Sequence, residues 1–497
     1  MIVAFTGNML WWLLALPVLG AMLSLAMPTV AAVLAWVAAG VSVVAAAGLC
    51  AAFTVFRGGP LLSGNDWLHL DALSAYHIAV MSVVFVLSSL FARVYFRAET
   101  GEHALSLGLA RRFAALWYGS MTSMLLVLLA NNLGVMWVGV EATTLLTAFL
   151  ICLHVSPVSL EATWKYLIVC SVGVAFAFMG VLLVAASVGH GAASARLLDW
   201  THLRAMASGL DPRLMKLAFI FLLVGFGTKA GLAPMHSWLP DAHSQAPAPV
   251  SAVFSGFMLN MALYAVMRFI PLVETATGQS GWAHGLLIVF GLLSILVAAV
   301  FILAQHDLKR LLAYCSVEHL GMIALGLGLG PLGAVAALFH TLNHSVSKIL
   351  AFFAAGRLGQ IYGTQEMADI RGALHVNRVW GGALLVGLLA LIGVAPSALF
   401  LSELMILKAA ADGGRYVVMA VFLLGAGTIF VSILRHALDM VWGEGRKTFR
   451  NGAPQGVGAW LVVIVPVLFL VTLGIYVPAA FRHVLEAAAE LLKGGAL

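Results

Sequence analysis

Apolar runs long enough to cross a bilayer follow one another along almost the whole chain. A helix needs about 20 residues to span a hydrocarbon core of ~30 Å, and only a helix satisfies its backbone polar groups within one such run. Of the 497 residues, 62% are hydrophobic and only 9% are charged. That composition leaves too little polar surface to cover a soluble core of this size. The sequence therefore predicts an all-α, polytopic membrane protein.

The spacing of the runs predicts about fourteen transmembrane helices. The first run has no basic leader and is followed at once by another, which favours a membrane helix over a cleaved signal peptide. Arginine and lysine are modestly enriched in the loops that lie inside if both termini are outside, so an outward N-terminus is expected. The predicted helices cover residues 9–28, 29–56, 71–96, 113–130, 132–155, 162–188, 213–236, 246–272, 281–303, 308–330, 332–357, 380–408, 415–440 and 456–480, and a short amphipathic tail follows.

Glycine and proline interrupt two of the predicted helices in comparable ways. The seventh carries Lys229 shortly before Pro234, and the twelfth carries Gly393 and Pro396 before Glu403. Such breaks are typical of inverted-repeat transporters, which place discontinuous helices at the binding site. The predicted organisation is three N-terminal helices in 1–112, one five-helix repeat (helices 4–8) in 113–272, a second (helices 9–13) in 273–440, and a last helix with the tail in 441–497.

Four charged residues, Glu141, Lys229, Lys348 and Glu403, fall well inside apolar runs. Each costs on the order of 2.5–3.5 kcal/mol at mid-membrane, so an intramembrane charge is a functional hypothesis by default. The alternative is that the charges only pair and lock helices together, but buried pairs are weak sources of stability. Acid and base recur in both halves beside the helix breaks, which favours function.

Histidines extend this pattern in the eleventh predicted helix. His340, His344 and Lys348 follow at i, i+4 steps and share one helix face. A metal site is one alternative, but no third ligand lies at usable spacing and no HExxH motif occurs. Two histidines satisfied by core hydrogen bonds are another alternative. The favoured interpretation is a proton relay, in which charges ~4 Å apart interact by about 4 kcal/mol at an effective dielectric near 20 and so control proton release.

Motifs for redox chemistry are absent from the sequence. The four cysteines lie singly in apolar segments, and there is no CxxC pair, nucleotide fingerprint or haem motif. The chain is therefore expected to hold no cofactor and no metal, and any redox chemistry would belong to partner subunits.

Four segments, residues 131–150, 229–252, 305–328 and 340–353, carry a family resemblance. They resemble the antiporter-like proton-channel subunits shared by respiratory complex I (its subunits L, M and N), multi-subunit Na⁺/H⁺ antiporters and membrane-bound hydrogenases. The most specific motif is HSWLPDAHSQAPAPVS. Within the family the chain looks most like the component F branch of hydrogenase-4, an energy-converting [NiFe]-hydrogenase.

The resemblance implies a proton-translocating subunit of a redox-driven complex similar to hydrogenase-4 or formate hydrogenlyase. The complex would be an oxidoreductase of the NADH:quinone oxidoreductase or hydrogenase kind. Other membrane subunits and a peripheral redox arm holding [NiFe] and iron–sulfur centres would be the partners, with no nucleic acid. The location would be the bacterial inner membrane, with a periplasmic N-terminus. The alternatives are a subunit of a multi-subunit Na⁺/H⁺ antiporter and a scaffold for another catalytic subunit.

The resemblance also assigns residues by motif. Glu141 matches the family's glutamate in helix five, Lys229 the lysine that pairs with it, and Glu403 the acid of helix twelve. The central polar axis of helix eleven is matched by His340, His344 and Lys348.

Further relay candidates are Lys165, His236, Glu318 and His319. Lys165 is expected either to reach the inner interface or to modulate the helix-seven lysine.

Helix eight departs from the family pattern. Ser255 and Asn260 stand where many members carry lysine or histidine. Either ordered water bridges the gap, or His319 or His340 takes the central role; the alternative is a branch that pumps poorly.

Overall fold

The computed structural model describes residues 2–99, 104–188, 196–444 and 456–493. Within these ranges the chain is almost entirely helical. A short antiparallel hairpin pairs β1 (Leu61–Leu62) with β2 (His69–Leu70); we call its end of the bundle the hairpin end. The helices are α1 (Ile2–Ser24), α2 (Val30–Gly58), α3 (Ala72–Arg97), α4 (Leu107–Leu129), α5 (Leu133–Ile151), α6 (Pro157–Ala186), α7 (Trp200–Ala205), α8 (Pro212–Ala230), α9 (Leu239–Gln245), α10 (Ala248–Val253), α11 (Leu259–Ala276), α12 (Trp282–Leu303), α13 (Leu308–Gly328), α14 (Gly330–Tyr362), α15 (Ala373–Val376), α16 (Arg378–Leu391), α17 (Ala398–Asp412), α18 (Tyr416–Trp442), α19 (Val457–Ile475) and α20 (Ala479–Glu490).

The predicted polytopic fold is confirmed. In the described part of the chain, 10 helical stretches are long and apolar enough to cross a membrane, and two shorter apolar helices, Met9–Ser24 and Arg378–Leu391, accompany them. One of the ten runs from α10 to α11 through a π-helical segment, Phe254–Met258. The count of fourteen helices and the inverted repeat stay predictions.

Both predicted helix breaks are present. The first follows α8, where Gly231 has φ +76, and the second follows α16, where Gly393 has φ +66. Only glycine adopts this left-handed conformation without steric cost, which is why glycine ends each segment. The chain then runs irregularly to α9 in one case and to α17 in the other. Irregular backbone inside a membrane fold is tolerated where protein surrounds it.

Small residues let α6 and α8 pack with their backbones in contact. A Cβ atom built on Gly225 would lie 2.6 Å from both the Ala177 Cβ and the Gly173 carbonyl oxygen. A Cβ on Gly180 would meet Leu222 at 2.6 Å. This is the small-xxx-small mode of association in membranes, where close backbone approach replaces the hydrophobic effect. The contact fixes α8, and with it Lys229, against α6.

A buried ion pair joins α3 to α11 near the hairpin end. The Arg268 guanidinium donates to both carboxylate oxygens of Asp71, which also accepts a hydrogen bond from the Ser74 backbone N–H at 3.0 Å. Arg268 Nε donates to the Tyr264 hydroxyl at 2.8 Å. Burial opposes ionisation of Asp71, but the charge and hydrogen bonds of Arg268 outweigh it and hold the pKa of Asp71 well below its usual value.

Candidate functional site

Lys229 is the second-to-last residue of α8 and is completely buried. Its Nζ donates to the Thr144 Oγ1 at 3.0 Å and to the Tyr166 hydroxyl. That hydroxyl in turn lies 2.6 Å from the Thr147 Oγ1. The ammonium is therefore solvated by side-chain hydroxyls, each of which can both donate and accept a proton.

Glu141 lies on α5, three residues before Thr144. Its Oε1 accepts a hydrogen bond from the Ser171 hydroxyl of α6 at 2.8 Å, and its buried Oε2 has no hydrogen-bond partner among the described residues. The described residues contain no Glu141–Lys229 ion pair within 4.0 Å, although the two charges are close enough to interact. The pairing implied by the family resemblance is therefore not a direct ion pair in this structure, since both groups are held by side-chain hydroxyls.

Lys165 reaches the surface of the bundle. Its Nζ lies 2.7 Å from the Glu161 carboxylate and 3.1 Å from the Asp241 carboxylate, and its side chain is 49% exposed. Asp241 also pairs with Arg310. A lysine with a long apolar stem can keep its charge at the surface in this way, and its placement at the inner interface stays a prediction. Lys165 makes no direct contact with Lys229.

Three fully buried histidines lie together in the second half of the chain. His319 of α13 and His340 of α14 lie 3.0 Å apart, Nδ1 to Nε2, and the rings of His319 and His344 are 5.1 Å apart. The other nitrogen of His340 lies 3.0 Å from the Ser402 hydroxyl on α17. Within the described ranges, no group of three ligating side chains suits a metal ion. The cluster instead links α13, α14 and α17 by groups that can pass a proton.

Three charged side chains flank the histidines, and two of them, Lys348 and Glu318, are buried. Lys348 Nζ donates to the Leu312 carbonyl at 2.7 Å. Glu318 is close enough for its charge to interact with both Lys348 and Glu403. The Glu403 carboxylate packs against Gly393, where a Cβ atom would lie 3.0 Å from the carboxylate carbon. Glycine at the second helix break therefore supplies both the left-handed turn and the space for this acid.

Two histidines of the stretch after α8 are buried among aromatic rings. His236 lies 6.0 Å, between ring centroids, from both Phe301 and Tyr314. His243 is completely buried in α9 and stacks on Phe352 at 5.2 Å. Tertiary packing covers the His243 side chain entirely.

His243 lies between the polar residues around Lys229 and those around Lys348. The ring centroid of Phe254 is 6.1 Å from that of His243 and 6.4 Å from that of Tyr166, which contacts Lys229. Phe352 is one turn after Lys348 on α14, and the charges of His243 and Lys348 are close enough to interact. Neither ring nitrogen of His243 has a hydrogen-bond partner among the described residues. A buried imidazole with both nitrogens unpaired is uncommon and marks a functional candidate.

At the two positions where many family members carry lysine or histidine, the span from α10 to α11 supplies polar but not titratable side chains. Ser255, in the π-helical segment, lies 2.7 Å from the Ser316 hydroxyl on α13. Asn260 donates to the Ser345 hydroxyl on α14 at 3.1 Å. π-Helical turns inside α-helices occur frequently at functional sites. Ser255 and Asn260 therefore supply hydrogen-bonding but not titratable side chains, and His243 is a titratable group close enough to Lys348 for their charges to interact.

Comparison with known proteins gives a consistent result. The model of the NADH:quinone oxidoreductase/Mrp antiporter transmembrane family matches residues 130–429. The chain is 35% identical over 446 residues to the hydrogenase-4 component F homolog of Methylacidiphilum infernorum (isolate V4), which covers 89% of this chain and 91% of that protein. It is 32% identical to hydrogenase-4 component B of Escherichia coli (strain K12), over 68% of this chain and 50% of that protein.

Among solved structures, a chain of the membrane-bound sulfane sulfur reductase, an archaeal respiratory membrane complex, superposes with a TM-score of 0.85. Sequence identity is 25%, and 98% of each chain is covered. The resemblance inferred from the sequence is confirmed. Glu141, Lys229, Lys348 and Glu403 all lie within the stretch that matches the family model.

Proposed function

Because the chain belongs to the NADH:quinone oxidoreductase/Mrp antiporter transmembrane family, we propose that it is a proton-translocating subunit of a redox-driven membrane complex of the hydrogenase-4 type. The observation that carries the proposal is the buried Lys229, whose ammonium is held by exchangeable hydroxyls instead of a carboxylate. A lysine locked in an ion pair keeps its proton, whereas one held by hydroxyls can release it when a nearby charge changes.

The first half-path consists of Glu141, the hydroxyls of α5 and α6, and Lys229. A change in the position or charge of Glu141 alters the field at Lys229, and the hydroxyls of Thr144 and Tyr166 supply a hydrogen-bonded route for the proton. Because the path lies in a low-dielectric interior, small displacements of the carboxylate have large electrostatic effects.

The second half-path runs from Lys348 through the histidine cluster toward Glu403. His319 and His340 are already hydrogen-bonded, and His340 reaches Ser402, the neighbour of Glu403 on α17. Neutral imidazole has one donor and one acceptor nitrogen, so a proton that enters at one ring nitrogen leaves from the other.

Partner subunits supply the driving reaction in this proposal. The [NiFe] and iron–sulfur centres would lie in a peripheral arm, joined to this chain by other membrane subunits. The names of its relatives, two hydrogenase-4 components, support that arrangement. The complex would be in the bacterial inner membrane with the N-terminus of this chain on the periplasmic side.

A Na⁺/H⁺ antiporter subunit is the second candidate. It is favoured by one buried carboxylate oxygen on each of Glu141 and Glu403 that lacks a hydrogen-bond partner among the described residues. Hard cations, however, prefer several oxygen ligands at one point. Among the described residues Glu141 stands apart from other acids, and the acid near Glu403 is Glu318. Proton transfer fits the two half-paths better.

Glu141→Gln tests the proposal, because the amide keeps the side-chain shape and removes the charge. We expect proton uptake by inverted membrane vesicles during turnover to fall by about tenfold or more, with and without sodium. Fluorescence quenching of an acridine dye measures the uptake, and immunoblotting confirms assembly. Glu161→Gln is the matched control, since that glutamate is exposed on α6. Unchanged uptake would favour the scaffold alternative, and uptake that requires sodium would favour the antiporter.

His243→Phe tests the link between the half-paths. Phenylalanine preserves the stacking on Phe352 and removes the titratable nitrogens, so we expect uptake to slow by about tenfold in a complex that still assembles. Adding Asn260→Lys, the residue type that many family members carry in helix eight, should restore part of the rate. If His243→Phe pumps as the wild type does, the two halves are joined by another route.

A further inference from the structure

A cavity of about 420 Å³ opens between α3, α14, α16 and α19. It lies at the end of α3 away from the hairpin end. Three arginines line it, two from the last turns of α3 and one from α14, and the remaining wall is largely apolar. The lining includes Arg93, Arg97, Arg357, Leu90, Val94 and Trp380.

None of the three arginines forms an ion pair within 4.0 Å among the described residues, whereas Asp71 neutralises Arg268 elsewhere in the fold. Arg357 is only 6% exposed, and its one hydrogen bond to a described side chain goes to Gln360. The Nε atoms of Arg93 and Arg357 are buried without a hydrogen-bond partner in the described ranges. A guanidinium taken out of water without a counter-ion is costly. The site is therefore built to receive an anion.

The apolar wall indicates what kind of anion fits. Leu461 of α19 lines the cavity and is 51% exposed on the outer surface of the bundle. Because α19 faces outward over most of its length, the cavity opens sideways to the place where acyl chains run. A small soluble anion would contact the arginines but would leave this apolar opening uncovered. An anionic headgroup attached to an acyl chain would satisfy both the arginines and the apolar wall.

We propose that this cavity binds the phosphate group of an anionic phospholipid such as phosphatidylglycerol. The planar guanidinium forks of Arg93, Arg97 and Arg357 match phosphate oxygens, to which arginine binds with paired hydrogen bonds. The acyl chains run along Leu461 and Val94. Basic pockets between transmembrane helices recognise lipid headgroups in this way. The inference is independent of proton translocation.

Native mass spectrometry of the purified membrane complex tests the proposal. The complex is delipidated and titrated with dioleoyl phosphatidylglycerol, and with phosphatidylcholine for comparison. We expect preferential retention of phosphatidylglycerol, and a loss of affinity of about fivefold, ~1 kcal/mol, for each arginine replaced in Arg93→Gln and Arg357→Gln. Arg435→Gln, which changes an exposed arginine of α18 outside the cavity, should leave retention unchanged.

The same titration can overturn the proposal. Equal retention of the two lipids, or an equal loss with Arg435→Gln, would show that the cavity does not select anionic lipid. Displacement of phosphatidylglycerol by millimolar inorganic phosphate would identify a soluble phosphate ligand instead. Should Arg93→Gln or Arg357→Gln prevent assembly, the exposed Arg97→Gln gives the same comparison.

Discussion

Lys229→Met is expected to abolish proton uptake while the complex still assembles. Methionine has a similar length and volume, so the packing of α8 against α6 is kept, and the Tyr166 hydroxyl retains its contact with Thr147. What is lost is the exchangeable proton of the first half-path. We expect the rate of uptake by inverted vesicles to fall by about a hundredfold, measured by dye quenching during turnover of the complex.

Two further variants separate proton exchange from charge. Lys229→Arg keeps the positive charge but cannot release a proton, because the guanidinium group stays protonated in proteins. It should therefore be as inactive as Lys229→Met. Lys216→Met removes a lysine from the same helix, thirteen residues away over the Trp282 ring, and should pump normally. Normal pumping by Lys229→Arg would mean that Lys229 acts only as a fixed charge.

Asp71→Asn is expected to lower the free energy of unfolding by about 3–5 kcal/mol. The substitution leaves the Arg268 guanidinium buried without its counter-ion, and the desolvation cost of that charge is no longer offset. Since the folded-state pKa of Asp71 lies below its unfolded value, this stabilisation is complete at neutral pH and is lost only in acid, as the carboxylate is protonated. Thermal unfolding of the detergent-solubilised protein at neutral pH measures the effect.

A double variant identifies the cause. Asp71→Asn combined with Arg268→Met removes both charges and should recover much of the lost stability, because an apolar replacement of a buried pair is often close to neutral. Asp412→Asn breaks the exposed pair with Lys408 and should cost less than about 1 kcal/mol. A cost for Asp71→Asn as small as that of the exposed pair would show that Arg268 does not depend on Asp71.

The apolar helices and some of the buried charges could be predicted from the sequence, because each depends on a local pattern. Apolar runs of spanning length, glycine at a left-handed turn, and a charge in an apolar run are all visible without knowledge of neighbours. Lys229 and Lys348 were found in this way, and both are completely buried.

The partners of these residues could not be predicted, because they come from distant parts of the chain. The hydroxyls around Lys229 lie on α5 and α6, 85 and 63 residues away. Asp71 and Arg268 are separated by 197 residues, and Asp71 looks in the sequence like any residue that caps a helix. His243 was missed because its burial is produced by Phe352, on a helix that begins far along the chain.

The glycine contact between α6 and α8 also determines where water can go. With a Gly225 Cβ position only 2.6 Å from Ala177 and Gly173, the two backbones leave no gap wide enough for a water molecule, which needs room for a whole probe sphere and two or more polar partners. The contact between α6 and α8 is therefore closed to water where Gly173, Gly180 and Gly225 bring the two helices together. In the proposed mechanism, this closed contact separates a proton on Lys229 from the lipid-facing surface of α6.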